Sequence, residues 1–508
     1  MSNGMVYLVG AGPGASDLVT VRGKQLIKAC DALVYDYLVY DELLNWTKPG
    51  CVKTYVGKRS GFHSKPQEDI EKLLIDYAQD GKLVVRLKGG DPFIFGRGGE
   101  EADSLAEAGI GFEIVPGVTA SMGAAAALGI PLSHRKDSSS IVLVTGHEDP
   151  GKDETLVDWA QYAKLDATLC IYMGLTKIDH ISAELLKAGM SSETPVAVVR
   201  WATLPTQESC IGTLGTISET VKESGIRPPA MIIVGEVVRD APKNSWFEQK
   251  PLFGKRIAIT RTREQSSNLK SKLQSLGADV LELPLIQVTS AVQESVKDEI
   301  FAELGSYDWI VFSSPNGVRY FFNAFLAEFK DLRSMGFMRI AAVGPATARE
   351  IEKFHLQVEV MPETHTGPDL ADALIETGSI EHAKILIVKG NLGTDDLIKP
   401  LEDKWAIIDR FEVYKTGPTD LSQNVAAETF RNKGAHAITF TSGSTVRSFV
   451  KQAKSLQLED GAAIPKTFSM GPQTSKVMKD VHVPLVKEAK ISSIDGLVAA
   501  IIEELGEK

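Results

Sequence analysis

Cysteine is scarce in this chain, and the few cysteines are scattered along the sequence. The 508 residues include four, Cys30, Cys51, Cys170 and Cys210, with no C-x-x-C pair and no spacing that suits zinc. A chain of this length with so few cysteines does not carry the disulfide framework of a small secreted domain. We therefore expect reduced thiols in the protein interior and a cytoplasmic location.

An excess of positive charge and long apolar runs are also missing. The formal net charge is −11, which argues against the basic surface of proteins that bind nucleic acid or an anionic membrane. Residues 114–133 are uncharged, but they are rich in Ala and Gly and include Pro116 and Pro131. This run is too weakly apolar to span a bilayer, and it predicts a tight loop followed by a buried helix of small residues. No basic stretch precedes the first apolar run, so a signal peptide is not expected.

Short β-branched runs alternate with helical patterns along the whole chain. The content of 43% hydrophobic and 24% charged residues is that of a globular protein, and the length predicts about two to four domains. The alternation predicts an α/β fold with mostly parallel sheets. The pattern stops near Asp240, in a polar stretch with two prolines (240–255), which places a domain boundary near residue 250.

The most informative segment is LKGGDPFIFGRGGEEA (87–102), which contains five glycines. The preceding run LVVR predicts a buried strand that ends in this loop. Glycine costs conformational entropy unless a positive φ or a close backbone approach requires it. A plain surface turn needs fewer glycines, so their density favours a loop whose backbone lies against a ligand.

A second glycine motif, GAGPGA at residues 10–15, fits the G-x-G-x-x-G/A pattern of dinucleotide-binding loops. It follows a strand, and Asp36 ends the next strand, where a ribose-binding acid is expected. Pro13 weakens this interpretation, because proline removes one amide from a loop that should offer amides to a pyrophosphate. The motif alone leaves a nicotinamide-binding domain open as an alternative.

The second half of the chain contains an internal repeat. FSSPNGVRYFF (312–322) precedes AVGPATAREI (342–351), and FTSGSTVRSFV (440–450) precedes SMGPQTSKVM (469–478) at nearly the same spacing. Ser and Thr are ordinary helix N-caps, so generic turn chemistry explains part of the similarity. The matched residue types and spacing favour two similar lobes that face one cleft.

The first half resembles uroporphyrinogen-III C-methyltransferase over residues 5 to about 240. The resemblance rests on the motifs VYLVGAGPGASDLVTVRG (6–23), GGDPFIFGRGGEE (89–101), VPGVTASMGAAAALGIPLSHR (115–135), TGH (145–147) and YMG (172–174). It implies two α/β lobes with S-adenosylmethionine (SAM) in the cleft between them, and it disfavours the dinucleotide alternative. The positions that match the family's cofactor site are Pro13, Gly89, Gly90, Asp91, Ile94, Thr119, Ala120, Met173 and Ala202.

The resemblance also implies which residues carry out methyl transfer. Asp36 and Lys58 match the family's proposed proton acceptor and donor, whereas Arg97 and Glu100 match a second proposal for substrate binding and proton abstraction. The electron-rich pyrrole attacks the sulfonium methyl group, and a base then removes a proton to restore conjugation. The sequence leaves the choice of base open, because Asp36 also suits a strand-end turn and Arg97–Glu100 a surface ion pair.

The second half resembles uroporphyrinogen-III synthase over about residues 254–505, on shorter motifs such as VKGNLGTDDL (388–397) and VYKT (413–416). The resemblance implies an outer lobe (254–289 with 417–508) and an inner lobe (290–416). That enzyme removes water from a linear hydroxymethylbilane and closes the ring with inversion of its last pyrrole, so positioning does much of the work. Tyr414 matches the tyrosine suspected of assisting hydroxyl departure. The matching substrate-binding positions are Arg261, Ser313, Ser314, Thr347, Thr441, Ser442 and Thr474.

Together the resemblances predict a bifunctional enzyme of the siroheme and cobalamin branch, with domains 1–245 and 254–508 joined by a linker at 246–253. The second domain is expected to make uroporphyrinogen III and the first to methylate it at C2 and C7, giving precorrin-2. SAM is the co-substrate and S-adenosyl-L-homocysteine the product, with no metal. We expect a homodimer that forms through the methyltransferase half, with tetrapyrroles as substrates. The alternative is a methyltransferase of a related precorrin step whose second half binds ligand without catalysis.

Overall fold

The computed structural model of the protein describes residues 4–57, 66–146, 157–261, 263–393, 395–422 and 424–506. Within these residues strands and helices alternate, and the strands form four five-stranded sheets. The predicted α/β class is confirmed. The chain packs into two compact units. Unit 1 comprises Met1–Ile257, Leu269–Val280 and Ile501–Lys508, and unit 2 comprises Ala258–Asn268 and Leu281–Ala500.

The first sheet of unit 1 is parallel throughout. Its strands are β1 (Met5–Gly10), β2 (Ala32–Tyr35), β3 (Val52–Tyr55), β4 (Leu83–Lys88) and β5 (Gly111–Val115), accompanied by α1 (Val21–Ala29), α2 (Gln67–Gln79), α3 (Gly98–Glu107) and α4 (Ala120–Leu128). The strand order is β3-β2-β4-β1-β5, so β4 is central. A dinucleotide-binding domain has the order 3-2-1-4-5, and the topology therefore counts against that alternative.

The second sheet of unit 1 is largely antiparallel. Its strands are β6 (Ser140–Thr145), β7 (Ala167–Tyr172), β8 (Pro195–Arg200), β9 (Glu208–Thr213) and β10 (Ala230–Val234), accompanied by α5 (Trp159–Tyr162), α6 (Ile178–Lys187), α7 (Ile217–Ser224) and α8 (Ala241–Asn244). β6 and β7 are parallel, whereas β10 runs antiparallel to β7 and β8, and β8 to β9. The prediction of mostly parallel sheets is wrong here. The sequence of β9, ESCIGT, lacks the apolar pattern of a strand. Because β9 runs antiparallel to β8, the chain direction reverses there, and β10 also runs antiparallel to β8.

The second half of the chain supplies the other two sheets. Their orders are β12-β11-β18-β19-β20 and β13-β17-β16-β14-β15, where the strands are β11 (Arg256–Ile259), β12 (Asp279–Glu282), β13 (Ile286–Ser290), β14 (Trp309–Phe312), β15 (Arg339–Ala342), β16 (Lys384–Gly390), β17 (Ile407–Pro418), β18 (Ala437–Phe440), β19 (Lys466–Ser469) and β20 (Lys487–Glu488). The helices are α9 (Arg263–Ser275), α10 (Glu294–Ala302), α11 (Pro315–Phe329), α12 (Pro345–Glu352), α13 (Gly367–Glu376), α14 (Ile398–Glu402), α15 (Val425–Lys433), α16 (Gly443–Lys451), α17 (Pro472–Asp480) and α18 (Ile494–Leu505).

The internal repeat corresponds to two copies of one structural unit, β14-α11-β15-α12 and β18-α16-β19-α17. In each copy a serine caps the first helix, since Ser314 accepts a hydrogen bond from the amide of Gly317 and Ser442 one from that of Thr445. The second helix of each copy begins with a proline, at the position where its missing amide costs nothing. The two strands of each copy pair in parallel. The repeat in sequence is therefore a repeat in structure.

Residues 246–253, predicted as a linker, pack into unit 1. The side chains of Phe247 and Leu252 are buried. The amide of Leu252 donates to the carbonyl of Leu276 at 3.0 Å, and Trp246 Nε1 donates to the carbonyl of Ala126 at 2.8 Å. The apolar residues of this segment anchor it, while the predicted domain ranges themselves stay a prediction.

The uncharged run at 114–133 contains α4, as the sequence predicts. Most residues of α4 are buried, and glycine and alanine predominate among them. Among the helices of the described residues, none is both long enough and apolar enough to cross a membrane.

The cysteines are free, and Cys30 and Cys170 are buried. Burial raises the pKa of each of these two thiols to about 12. Because the thiolate is the reactive form, we expect both to resist a maleimide at neutral pH in the native protein and to react after unfolding in guanidinium. Peptide mapping by mass spectrometry measures this. Rapid labelling of either cysteine in the native protein would contradict the expectation.

Candidate active site

Unit 1 contains a cavity of about 600 Å³, here called the cleft. Part of its wall comes from the loops that follow β1, β2 and β4, and part from residues at the ends of β7, β8 and β10. Since the carboxyl ends of parallel strands meet at one edge of a sheet, the topology of the first sheet gathers these loops. The fold therefore places the conspicuous glycine motifs of the sequence side by side.

The glycine loops beside the cleft press against one another. Gly12 and Gly90 exchange two backbone hydrogen bonds, of 3.2 and 2.8 Å. A Cβ atom on Gly117 would lie 2.2 Å from the carbonyl oxygen of Gly90, and one on Gly10 would lie 2.6 Å from the Cα atom of Gly117. The density of glycine thus has a structural cause, loop-on-loop contact, in addition to the expected approach of a ligand.

The positions predicted to hold the cofactor all line the cleft. These are Pro13, Gly89, Gly90, Asp91, Ile94, Thr119, Ala120, Met173 and Ala202. The carboxylate of Asp91 accepts hydrogen bonds from the amides of Phe93 (2.8 Å) and Gly117 (2.9 Å). Thr119 Oγ1 lies 2.7 Å from the hydroxyl of Tyr172. Asp91 and Thr119 therefore hold the surrounding loops as well as face the cavity, and their role as cofactor ligands stays a prediction.

Asp36 lies just after β2, in the wall of the cleft. Its Oδ1 atom accepts from the amide of Leu38 at 3.1 Å, and its Oδ2 atom lies 3.5 Å from Nη2 of Arg86. The side chain keeps 25% of its exposure, so the protein fixes the carboxylate and still leaves it open to the cavity. Lys58, its predicted partner, lies outside the described residues.

Arg97 and Glu100 form an ion pair, the alternative that the sequence leaves open beside their predicted role in binding and catalysis. Arg97 is the N-cap of α3, and its Nε and Nη2 atoms lie 3.0 and 2.6 Å from the two carboxylate oxygens of Glu100. This carboxylate raises the pKa of Arg97. Both side chains are more than half exposed. Arg97 lines the cleft, whereas Glu100 lines an adjoining hollow together with Arg97 and Glu71.

Tyr414 lies on β17 in unit 2, and its hydroxyl is 3.0 Å from Oγ of Ser314. One face of its ring stacks on Tyr320, with 6.0 Å between ring centroids. The ring also lies against bare backbone, since a Cβ atom on Gly390 would be 2.3 Å from its Cζ atom. Three parts of the chain therefore fix the position of this phenol.

The other substrate-binding candidates of unit 2 sit at strand ends and in the first turns of helices. Thr347 in α12 and Thr474 in α17 are equivalent in the repeat, and only 2% and 5% of their surfaces are exposed. Ser313 donates its hydroxyl hydrogen to the carbonyl of Val388 at 3.1 Å. Their contacts with substrate stay predictions, as do those of the partly exposed Arg261, Thr441 and Ser442.

Comparison with known proteins supports both resemblances. A family model of tetrapyrrole (corrin/porphyrin) methylases matches residues 5–218, and a model of uroporphyrinogen-III synthase HemD matches residues 267–499. The porphyrin biosynthesis protein HemD of Ruminiclostridium josui is 35% identical over 503 residues, which cover 99% of this chain and 98% of that protein. The chain belongs to the tetrapyrrole methylases in its first half and to the uroporphyrinogen-III synthases in its second. We call residues 5–218 the methylase half and residues 267–499 the synthase half.

The methylase half has further relatives of its own length. The uroporphyrinogen-III C-methyltransferase of Priestia megaterium is 48% identical over 235 residues, covering 46% of this chain and 98% of that protein. A solved structure of uroporphyrin-III C-methyl transferase from Thermus thermophilus, complexed with S-adenyl homocysteine, is similar at 39% identity and a TM-score of 0.40, covering 46% of this chain and 99% of that chain. The two family models and the relative from Ruminiclostridium josui show that the protein is a fusion enzyme of tetrapyrrole biosynthesis.

The methylase half buries a charged network that the sequence did not reveal. Arg86 and Lys88 lie at alternate positions of the central strand β4 and are almost fully buried, yet both line the cleft. Glu101 of α3 is completely buried beside them. Two cations at alternate positions share one face of a strand. Their spacing in an otherwise apolar strand was the signal that could have revealed them.

Bulky residues in left-handed backbone conformation gather at the cleft of the methylase half. Phe95, Arg97, Met173 and Trp201 have φ values between 51° and 57°, and all four line the cavity. Such conformations cost about 1–3 kcal/mol each, persist only where the surrounding structure enforces them, and cluster at active sites. Their concentration here is independent support for a functional site in the cleft.

Proposed function

We propose that the protein converts hydroxymethylbilane to precorrin-2. The synthase half closes the linear tetrapyrrole to uroporphyrinogen III, and the methylase half transfers two methyl groups to it, at C2 and C7. The observation that supports this most is the cleft, whose wall contains every position that matches the methyltransferase family's cofactor site. The volume of the cleft, about 600 Å³, lies within the usual range for pockets that bind small molecules and cofactors.

The residues of the cleft suit SAM. Ile94 and Met173 offer apolar surface, and Gly89 and Gly90 leave bare backbone at the cavity wall. Ala120 brings the first turn of α4 to the same wall, where helix amides favour an anionic group. Bound SAM supplies a methyl group activated by a sulfonium. The chain itself then has to hold the tetrapyrrole and accept a proton.

We assign proton removal to Asp36 and substrate binding to Arg97. The carboxylate of Asp36 is open to the cleft, and Arg86 holds it from the protein side. Arg97 reaches the same cavity, while Glu100 orients its guanidinium through two contacts. A fixed guanidinium binds a substrate carboxylate well, because its donors form a rigid fork. Lys58 stays the predicted proton donor.

In the synthase half we assign proton donation to Tyr414. The phenol gives its proton to the departing hydroxyl group of the bilane, which leaves as water and leaves a cationic azafulvene at that end of the chain. The last pyrrole then closes the ring by forming a carbon–carbon bond, and the proton that it loses returns to the phenolate. Ser314 contacts the phenol at 3.0 Å and holds it in one orientation. The remaining hydroxyl-bearing candidates would hydrogen-bond the carboxylates of the curled substrate.

We further propose that the chain consists of two domains, 1–245 and 254–508. Two copies of the chain form a homodimer in the cytoplasm, and they contact each other through the first domain. Sedimentation equilibrium of the full chain tests the assembly. We expect about twice the chain mass of 55.0 kDa. A particle with the mass of one chain across the concentration range would contradict it.

Gly117→Ala is expected to weaken SAM binding about tenfold or more, a free-energy change of about 1.4 kcal/mol or more. The added methyl group would lie 2.2 Å from the carbonyl oxygen of Gly90, so the two loops must separate. Titration calorimetry with SAM measures the affinity. Gly111→Ala is the matched control, because its nearest neighbour would be Met5 Sδ at 3.9 Å. Equal affinity in both variants would contradict the role given to the loops.

Each half can be tested with its own substrate. Hydroxymethylbilane without SAM should give uroporphyrinogen III, and formation of uroporphyrinogen I alone would contradict the synthase assignment. Uroporphyrinogen III with SAM should give a dimethylated product, and its absence would contradict the methyltransferase assignment. Chromatography of the oxidised products, with mass detection, separates these outcomes.

A further inference from the structure

The contacts of the buried Glu101 are uneven. Its Oε1 atom faces three donors, Nε of Arg86 at 3.0 Å, Nζ of Lys88 at 2.7 Å and Nε2 of Gln67 at 3.4 Å. Its Oε2 atom is buried and has no hydrogen-bond partner among the described residues. An unsatisfied buried oxygen costs free energy. Glu101 therefore holds Arg86 and Lys88 through one carboxylate oxygen, while its other oxygen makes no hydrogen bond with the described residues.

Arg86 connects Glu101 to the cleft. Its Nε atom contacts Glu101, and its Nη2 atom lies 3.5 Å from Oδ2 of Asp36. The guanidinium is planar and rigid, so a contact that fixes Nε also fixes the direction of Nη2. Glu101 is thereby linked to Asp36 through a single rigid group.

The charges of this network are balanced. Arg86 and Lys88 are cations, and Glu101 and Asp36 are the acids beside them. Burial lowers the pKa of Lys88, and the nearby positive charge of Arg86 lowers it further. Asp36 lies 3.5 Å from Arg86 and close enough to Lys88 for its charge to act on that amine. We therefore expect that, without the charge of Glu101, Asp36 moves away from the cavity toward both cations.

We propose that Glu101 is a positioning residue for methyl transfer, which anchors Arg86 so that Asp36 is held toward the reacting pyrrole. This inference rests on the proposed function, in which Asp36 removes the proton. The proposal gives different roles to the two neighbouring acids Glu100 and Glu101. Glu100 lines the adjoining hollow beside Arg97, whereas Glu101 lies behind the base.

A double-mutant cycle tests the inference in the full-length protein. Glu101→Gln is expected to lower kcat for methylation of uroporphyrinogen III about 10²-fold, as a misplaced catalytic group does. The Kd for SAM should stay within about twofold, since the cofactor positions are unchanged. In the Asp36→Asn background the same substitution should change kcat by less than about twofold, because the positioned group is already gone. Glu107→Gln, at the exposed end of α3, is the control.

The possible results separate the claims. Equal losses of kcat from Glu101→Gln in both backgrounds, or a loss of SAM affinity that matches the loss of kcat, would overturn the positioning role. Full activity of Asp36→Asn would overturn it together with the choice of base. A wild-type enzyme that gives no methylated product would instead overturn the proposed function. If Glu101→Gln does not fold, Glu101→Asp takes its place, because it keeps the charge and shortens the reach to Arg86.

Discussion

Asp36→Asn is expected to lower kcat for methylation of uroporphyrinogen III by about 10²–10⁴-fold, the usual contribution of a general base. Asparagine keeps the size of the side chain and an oxygen that accepts from the amide of Leu38, but it takes up no proton. The Kd for SAM should change by less than about twofold, because an effect confined to the chemical step leaves binding unchanged. Single-turnover kinetics with SAM in excess isolates that step.

The control for this substitution is Asp80→Asn, which removes an exposed carboxylate paired with Lys82, away from the cleft. It should retain the wild-type kcat. Glu100→Gln addresses the competing base. If Asp36→Asn kept its activity while Glu100→Gln lost about 10²-fold or more, Glu100 would be the base and the role given to Asp36 would be wrong.

Tyr414→Phe is expected to slow closure of hydroxymethylbilane about 10²-fold, because the ring keeps its place and the acid is lost. The unprocessed bilane would then close without the enzyme, so the fraction of uroporphyrinogen I should rise. Methylation of added uroporphyrinogen III should be unaffected. A stopped assay that resolves the two isomers by chromatography gives both the rate and the ratio.

Gly390→Ala should lower the same rate without touching the hydroxyl group. Its Cβ atom would lie 2.3 Å from Cζ of Tyr414, so the ring has to move and lose its contact with Ser314. Gly417→Ala on β17, the strand that carries Tyr414, is the control, with no atom within 4 Å of the new methyl group. Wild-type closure rates in both Tyr414→Phe and Gly390→Ala would contradict the role of Tyr414.

The sequence predicted the local features of the methylase half well. The apolar run before the glycine loop is β4, the uncharged run contains α4, and the cofactor positions meet in one cleft. These features depend on short-range patterns: apolar runs for buried strands, small residues for a tight helix, and glycine for close loops. β9 escaped prediction because a polar edge strand lacks such a pattern.

The arrangement of the charged residues could not be predicted from the sequence. Glu100 and Glu101 are neighbours, and the start of α3 after the left-handed Arg97 decides which of them is exposed and which is buried. Arg86 meets Glu101 because the first turn of α3 lies beside the last residues of β4. The contact of Ser314 with Tyr414 joins residues a hundred positions apart. Such contacts depend on strand order and helix register, which short-range patterns do not encode.

The most direct test of the central claim uses hydroxymethylbilane, the full-length protein and SAM with an isotope-labelled methyl group. We expect one major product, a tetrapyrrole of the type-III isomer that carries two labelled methyl groups, which nuclear magnetic resonance should locate at C2 and C7. An unlabelled uroporphyrinogen, a single methyl group, or methyl groups at other ring positions would contradict the assignment of both activities to this chain.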